Sequence, residues 1–137
     1  MKSVSFDDVM TLAGRVLIAV LFVPSALGKV FAFGGVTMAL GAKGLPAPEL
    51  FAAGAVALEL AASAAIVAGW QVRWSALALG VYSIVAAALF HNFWSVPEAM
   101  AMAQRQAFFK NVGLLGGLLV LAARGPGAIA LSRPSQP

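Results

Sequence analysis

Four apolar stretches, each close to the length of a membrane-spanning helix, dominate this sequence of 137 residues. A helix needs about 20 mostly apolar residues to cross the hydrocarbon core of a bilayer. The sequence therefore predicts an all-α protein, a four-helix transmembrane bundle in a single integral membrane domain over residues 1–137. The predicted spans cover residues 10–33, 50–69, 73–91 and 96–123, and a tail follows over residues 124–137.

The low content of charged residues supports a membrane location. Only 10% of the residues are charged, whereas a soluble domain carries about 25%, so this chain could not cover itself with a wetted surface. The net charge of +4 comes from Lys and Arg that are scattered singly, without the basic face that nucleic-acid binding requires. We expect the lipid bilayer as a partner and no nucleic acid.

Local signals mark the ends of the fourth span. Ser95-Val96-Pro97-Glu98 has the S-x-x-E pattern of a capping box, with Pro in the first turn. Arg124-Gly125-Pro126-Gly127 is a stop signal. Between the first two spans, Gly34-Gly35 and the segment 41–48 are too rich in Gly and Pro to be helical throughout.

The flanking charges predict the orientation of the spans. Asp7 and Asp8 suit the start of a cleaved secretory signal poorly, so we expect the first span to be retained. Four spans place both termini on one side, and the positive-inside rule predicts that this side is cytoplasmic. The basic residues on that side are Lys2, Arg73, Arg124 and Arg133, against Lys43 and Arg105 in the opposite loops.

Small residues recur at four-residue spacing on two predicted helices. Gly113 and Gly117 form a GxxxG motif, and Ala53, Ala57, Ala61 and Ala65 give a similar face on the second span. Such faces let helices approach closely in a membrane. We interpret them as packing within the bundle rather than as a dimerisation signal, and a homo-oligomer stays an open alternative.

Charged residues inside the apolar spans point to buried interactions. A charge near the bilayer centre costs about 2.5–3.5 kcal/mol, so it faces protein or water and usually has a partner. Arg15, Phe22 and Lys29 are seven residues apart and share one helix stripe. Glu59 lies at a depth similar to that of Arg15. These positions predict a buried Arg15–Glu59 ion pair with Tyr82 attached, which is either functional or purely structural.

A second polar group lies at the other ends of the spans, near the non-cytoplasmic interface. With one His and no Cys, one chain cannot build a bis-His haem site or a tetrahedral zinc site, and thiol chemistry is excluded; we expect no metal. We predict instead a pocket walled by aromatics, in which His91 hydrogen-bonds or relays a proton to a quinone-like headgroup. The predicted ligand-binding residues are His91, Asn92, Trp94, Lys29, Lys110 and Asn111.

The order of these residues resembles the DoxX family. The likeness covers about residues 14–131 and departs near the end, where the family often has an acidic residue after Gly-x-Gly and this chain has Ser132 and Arg133. The matching features are Arg15 and Gly28-Lys29 in the first helix, Glu59 in an Ala-rich second helix, His91-Asn-Phe-Trp94, and the stretch from Gln106 to Gly117.

The resemblance implies a small four-helix protein of the bacterial inner membrane, linked to quinol oxidase, thiosulfate:quinone oxidoreductase or oxidative-stress systems. Without cysteine, we expect an accessory subunit rather than a stand-alone enzyme. It would hold no covalent cofactor, would bind a quinone- or lipid-like ligand, and would work with a redox partner protein. A non-catalytic scaffold protein is the alternative. A small transporter along Arg15, Glu59 and Lys29 ranks last, because no inverted repeat is visible.

Overall fold

The computed structural model describes residues 3–132, and its regular secondary structure in that range is helical. The helices are α1 (Phe6–Phe31), α2 (Phe33–Ala42), α3 (Pro48–Ala68), α4 (Val72–Phe90) and α5 (Glu98–Arg124), with a 3₁₀ turn at Phe93–Ser95. Within the described range, α1, α3, α4 and α5 are long and apolar enough to cross a membrane. The predicted all-α bundle with four spans is confirmed.

The first helix begins at Phe6, earlier than the apolar run predicts, because a capping box precedes it. The Asp8 N–H donates to the Ser5 hydroxyl (3.2 Å), and the Ser5 N–H donates to Asp8 Oδ2 (3.0 Å). Two backbone donors that the helix start would leave unpaired are thereby satisfied. An acidic residue in the first turn is also favourable to the helix dipole.

The predicted capping box at Ser95 is wrong. Ser95 belongs to the 3₁₀ turn, where its hydroxyl donates to the Asn92 carbonyl (3.3 Å). Helix α5 begins at Glu98 without any side-chain cap. The S-x-x-E pattern is present, but α5 begins at Glu98, so the N-cap position is Pro97 and lies two residues after Ser95.

Helix α2 is an addition to the predicted architecture. Ala32 leaves helical geometry (φ −111°, ψ 30°) and separates α2 from α1. The chain then stays helical through Gly34-Gly35 and becomes irregular over residues 43–47. Helix α2 packs mainly on α3, and it covers an apolar cavity described below.

The four spans pack in chain order around one apolar core. Helix α1 packs against α3, α3 against α4, and α4 against α5. Phe22 of α1, Ile66 of α3, Leu79 of α4 and Leu118 of α5 are buried together in the core. Between α1 and α5 the bundle opens into a cleft of about 650 Å³.

Most of the small residues at four-residue spacing do not pack within the bundle, contrary to the prediction, and only Ala65 among them is half-buried. Gly113 and Gly117 are exposed, and a Cβ added to either would meet no atom within 4 Å. Ala53, Ala57 and Ala61 are exposed as well. Lipid is as apolar as the bundle interior, so small-residue spacing does not determine which of the two a helix face meets.

Arg15 is 1% exposed and binds backbone carbonyls rather than a carboxylate. Its Nε donates to the Ile66 carbonyl (2.6 Å) and its Nη2 donates to that of Val67. Its Nη1 donates to the carbonyls of Pro126 (2.8 Å) and Ile129 (2.6 Å). Ile66 and Val67 lie in the last turn of α3, where the helix dipole is negative and carbonyls lack helical partners. A cation is stabilised there without a counter-ion.

The predicted Arg15–Glu59 ion pair is therefore not formed. The antiparallel register of α1 and α3 brings Ile66 to the level of Arg15. Glu59 lies about two helical turns before Ile66 on α3, roughly 10 Å from it along the helix axis. Glu59 instead forms a salt bridge with Lys29 (3.0 Å). Both cations of α1 face the bundle, as their spacing predicts, but they take different partners.

Residues 125–132, called here the C-terminal segment, fold back over the ends of α1 and α3. The Ala128 N–H donates to Asp8 Oδ1 (2.8 Å), and the Leu131 N–H donates to the Ala68 carbonyl (2.9 Å). Together with the Arg15 contacts, these bonds make the segment part of the folded end of the bundle. Residues 133–137 of the predicted tail, and Lys2, lie outside the described residues.

Gly69 is required beneath this segment. It has a φ of +75°, and a Cβ added to it would lie 2.4 Å from the Cβ of Ala130 and 2.9 Å from Arg15 Nη2. Glycine adopts positive φ without steric cost and leaves this space free. The close docking of the C-terminal segment depends on it.

We expect Gly69→Ala to destabilise the protein by about 2–5 kcal/mol, because it combines a left-handed backbone with overpacking. Thermal unfolding in mild detergent measures the effect. Gly116→Ala is the matched control, since Gly116 is helical and its added Cβ meets no atom within 4 Å. Equal unfolding temperatures for the two variants would contradict the docked segment.

Candidate functional site

Lys29 of α1 and Glu59 of α3 form a buried ion pair. The Lys29 ammonium donates to both Glu59 oxygens, each at 3.0 Å. Ser25, one turn before Lys29, donates to Glu59 Oε1 (3.0 Å), and Lys29 Nζ lies 2.6 Å from the Ser25 hydroxyl. The Glu59 side chain is 2% exposed and that of Lys29 is 22% exposed. The ammonium is thus the accessible member of the pair.

This arrangement satisfies a carboxylate that would otherwise be costly to bury. An ionised carboxylate in an apolar interior needs a counter-charge and hydrogen bonds to its remaining oxygen lone pairs. Lys29 supplies the charge, and Ser25 supplies a further donor from the same helix. Ser25 and Lys29 are four residues apart, so both face α3 from one side of α1.

A polar cavity of about 250 Å³ lies beside the ion pair. Its walls come from α1, α3, α4 and α5, together with the residue that ends α4. The polar side chains that line it include Lys29, Glu59, Tyr82, His91 and Asn111. A cation, a carboxylate, a phenol, an imidazole and an amide therefore surround one small space.

His91 is held in place by Gln104 of α5, a residue that is not among those predicted from the sequence. The two side chains meet with Nδ1 of His91 2.8 Å from Oε1 of Gln104. With the amide oxygen accepting, Nδ1 carries the proton, and Nε2 remains as an acceptor. Gln104 and Asn111 are seven residues apart on one face of α5, and that spacing was the signal that could have revealed it.

A larger apolar cavity of about 470 Å³ lies on the other side of Lys29 and Tyr82. Helices α2, α3 and α4 and the loop after α2 line it with aliphatic side chains. Four residues line both cavities: Lys29, Tyr82, Ala86 and Phe90. The two cavities therefore share one wall. On this wall Lys29 and Tyr82 present polar groups to the larger cavity, which is otherwise apolar. We call this wall and its two cavities the Lys29–Glu59 site.

The structure brings together only some of the predicted ligand-binding residues. Lys29, His91 and Asn111 line the polar cavity. Glu59 lines it too, instead of pairing with Arg15, and Tyr82 lies in the same lining. Helix α4 ends at Phe90, and the chain turns away after His91 (φ −121°, ψ 39°). The predicted residues outside this cavity's lining are Asn92, which donates to Ser95 Oγ, the exposed Trp94, and the exposed Lys110.

Phe90 lines both cavities, but the aromatic residues that follow His91 belong to a separate interfacial cluster rather than to the predicted pocket wall. Trp94 packs edge-on against Phe93 (ring centroids 5.2 Å apart) and Phe108 (5.7 Å). The Arg105 guanidinium lies over the Phe93 ring at 5.3 Å. Tryptophan at this exposure is typical of the headgroup level of a membrane, so the cluster positions the end of the bundle in the bilayer.

Comparison with known proteins identifies the family. The DoxX family model matches residues 10–92, the part of the chain that contains Lys29, Glu59, Tyr82 and His91. The chain belongs to the DoxX family. The inner membrane protein YphA of Escherichia coli (strain K12) is 32% identical over 125 residues, 91% of this chain and 89% of YphA. YqjF of the same organism is 32% identical over 127 residues, 93% of this chain and 92% of YqjF.

A second likeness covers the latter part of the chain. The SURF4 family model matches residues 53–134. The Surfeit locus protein 4 homolog of Schizosaccharomyces pombe (strain 972 / ATCC 24843) is 33% identical over 76 residues, 54% of this chain and 25% of that protein. No solved structure matches the chain. The inner-membrane relatives and the four apolar helices support a multi-pass protein of the bacterial inner membrane, in contact with the lipid bilayer.

We expect Lys29→Met to lower the free energy of unfolding by about 3–5 kcal/mol, because Glu59 is left buried without a counter-charge. The double variant with Glu59→Met should recover most of the loss, since apolar side chains often replace a buried pair at little cost. Unfolding in mild detergent measures both, with Lys110→Met as an exposed-lysine control. A double variant no more stable than the Lys29→Met single variant would contradict the pairing.

Proposed function

We propose that this DoxX-family protein binds a quinone- or lipid-like molecule at the Lys29–Glu59 site and acts as an accessory subunit of a membrane oxidoreductase. The observation that supports the proposal is the shared wall of the two cavities. An apolar chamber of about 470 Å³ meets an ammonium and a phenol at one side, and a carboxylate and an imidazole lie just behind them.

The chamber suits an amphipathic ligand in size and lining. Small-molecule sites are mostly apolar clefts of about 300–1,000 Å³ with a few polar groups that orient the ligand. The apolar cavity falls within this range. Lys29 and Tyr82 are hydrogen-bond donors on its wall, suited to a ring oxygen of the ligand, while the aliphatic side chains contact the apolar part.

The polar cavity behind the wall suits proton movement. Quinone reduction couples electron uptake to proton uptake, and the chain offers acceptors and donors for the proton in Glu59, Tyr82 and His91. When Nδ1 of His91 donates to Gln104, Nε2 is the ring nitrogen that can accept a proton. The electrons would come from the cofactor of a redox partner protein, as proteins in such systems supply binding, orientation and electrostatics.

Arg73 and Arg124 support an orientation with both termini in the cytoplasm, by the positive-inside rule. In this orientation the Lys29–Glu59 site lies toward the non-cytoplasmic edge.

A scaffold protein without a ligand is the second candidate. Two contacts favour it. Arg15 connects α1 to α3 and to the C-terminal segment, and the Lys29–Glu59 pair connects α1 to α3 a second time. A transport path along Arg15, Glu59 and Lys29 has less support, because about two helical turns separate Ile66, the Arg15 partner, from Glu59.

Substitution of two alanines on α3 distinguishes the ligand-binding function from the scaffold function. Ala55 lines the apolar cavity, whereas Ala57 is exposed on the outer face of the same helix. Ala55→Leu fills the cavity and should weaken binding of a short-chain quinone by about tenfold or more, while Ala57→Leu leaves it unchanged. Quenching of tryptophan fluorescence in detergent measures the affinity.

Equal affinity of the two alanine variants would remove the apolar cavity as the site and would leave the scaffold function as the better account. Tyr82→Phe adds an independent readout, because it keeps the shape of the wall and removes only its hydroxyl. Binding that survives Tyr82→Phe but not Ala55→Leu would assign the ligand to the cavity without a role for the phenol.

A further inference from the structure

A separate cavity of about 390 Å³ lies between the start of α4 and the end of α5, at the opposite end of the bundle from the Lys29–Glu59 site. Two arginines, Arg73 and Arg124, line it together with Gln71, Trp74 and Ser132. Within residues 3–132, the lining of this cavity includes no Asp or Glu. The cavity is therefore strongly cationic, in contrast to the mixed charges of the Lys29–Glu59 site.

Neither arginine forms a salt bridge within residues 3–132, although Arg124 also lines the cleft between α1 and α5 that contains Asp7 and Asp8. Arg73 Nε donates to the Ala122 carbonyl (3.3 Å), which orients the guanidinium, and its other nitrogens donate to no group in that range. The Arg124 side chain makes no hydrogen bond or salt bridge within the same residues. Two guanidinium groups on one cavity repel each other unless an anion lies between them.

The geometry of guanidinium favours a phosphate as that anion. Arginine presents paired N–H donors in one plane, which match the oxygens of a phosphate. Helix α4 also begins at this cavity without a side-chain cap, so its first backbone N–H groups add positive potential to that of the arginines.

The position of the cavity favours a lipid as the source of the phosphate. Trp70 and Trp74 are 57% and 68% exposed beside it, and tryptophan marks the level of the lipid headgroups. Basic pockets between transmembrane helices at this level suit anionic headgroups. We propose that Arg73 and Arg124 bind the phosphate of an anionic phospholipid in this cavity.

Native mass spectrometry of the full chain in detergent, with added phosphatidylglycerol or phosphatidylcholine, tests the site. We expect one phosphatidylglycerol per chain, bound more tightly than phosphatidylcholine. Arg124→Gln should weaken its binding by about fivefold, and Arg124→Lys should restore most of the affinity. Arg105→Gln, at the opposite edge of the bundle, is the control and should leave binding unchanged.

A second variant keeps both arginines in place. Gln71→Glu adds a carboxylate to the lining of the cavity and should weaken phosphatidylglycerol binding by a similar factor. Equal binding of the two lipids, or an equal loss in Arg105→Gln and Arg124→Gln, would overturn the proposal. Displacement of the lipid by low-millimolar inorganic phosphate would assign the cavity to a soluble anion and would overturn the lipid as ligand.

Discussion

A cation inside an apolar bundle has to find its partners within the protein, and α1 carries two such cations. Arg15 is satisfied by backbone carbonyls at the end of α3 and in the C-terminal segment. Lys29 is satisfied by Glu59 and Ser25. These contacts fix the register of α1 against α3. Helices α2 and α4 also pack on α3, and α5 packs on α4. The arrangement of the bundle depends on this pair of contacts.

The two contacts also differ in what they leave accessible: the Arg15 end of the bundle is closed, whereas the Lys29 end contains cavities that could hold a ligand. Around Arg15 every guanidinium nitrogen donates to a backbone carbonyl, and Gly69 lets the chain pack closely over it. Around Lys29 the ammonium stays partly accessible and lines two cavities of opposite character. Each buried charge needs partners within the protein. At Arg15 this requirement produces a tightly packed end of the bundle, and at Lys29 the pair lies beside a ligand-sized cavity.

Much of this could be read from the sequence, and the failures have physical causes. Apolar length predicts the four spans, and seven-residue spacing predicts that Arg15 and Lys29 face the bundle. The partner of Arg15 was not predictable, because backbone carbonyls carry no sequence signature and any residue supplies them. The exposed faces of Gly113 and Ala57 were misjudged because lipid and bundle interior are equally apolar. Trp94 was misplaced because the chain turns outward once α4 ends at Phe90.

The proposed function requires that the apolar cavity at the Lys29–Glu59 site holds an amphipathic ring ligand. Photolabelling with an azido-quinone, followed by peptide mass spectrometry, tests it most directly. Label should concentrate on α2, on residues 50–58 of α3 and on residues 82–90 of α4, and excess unlabelled quinone should suppress it. Label confined to the cleft between α1 and α5, or spread evenly over the lipid-facing helices without competition, would contradict the claim.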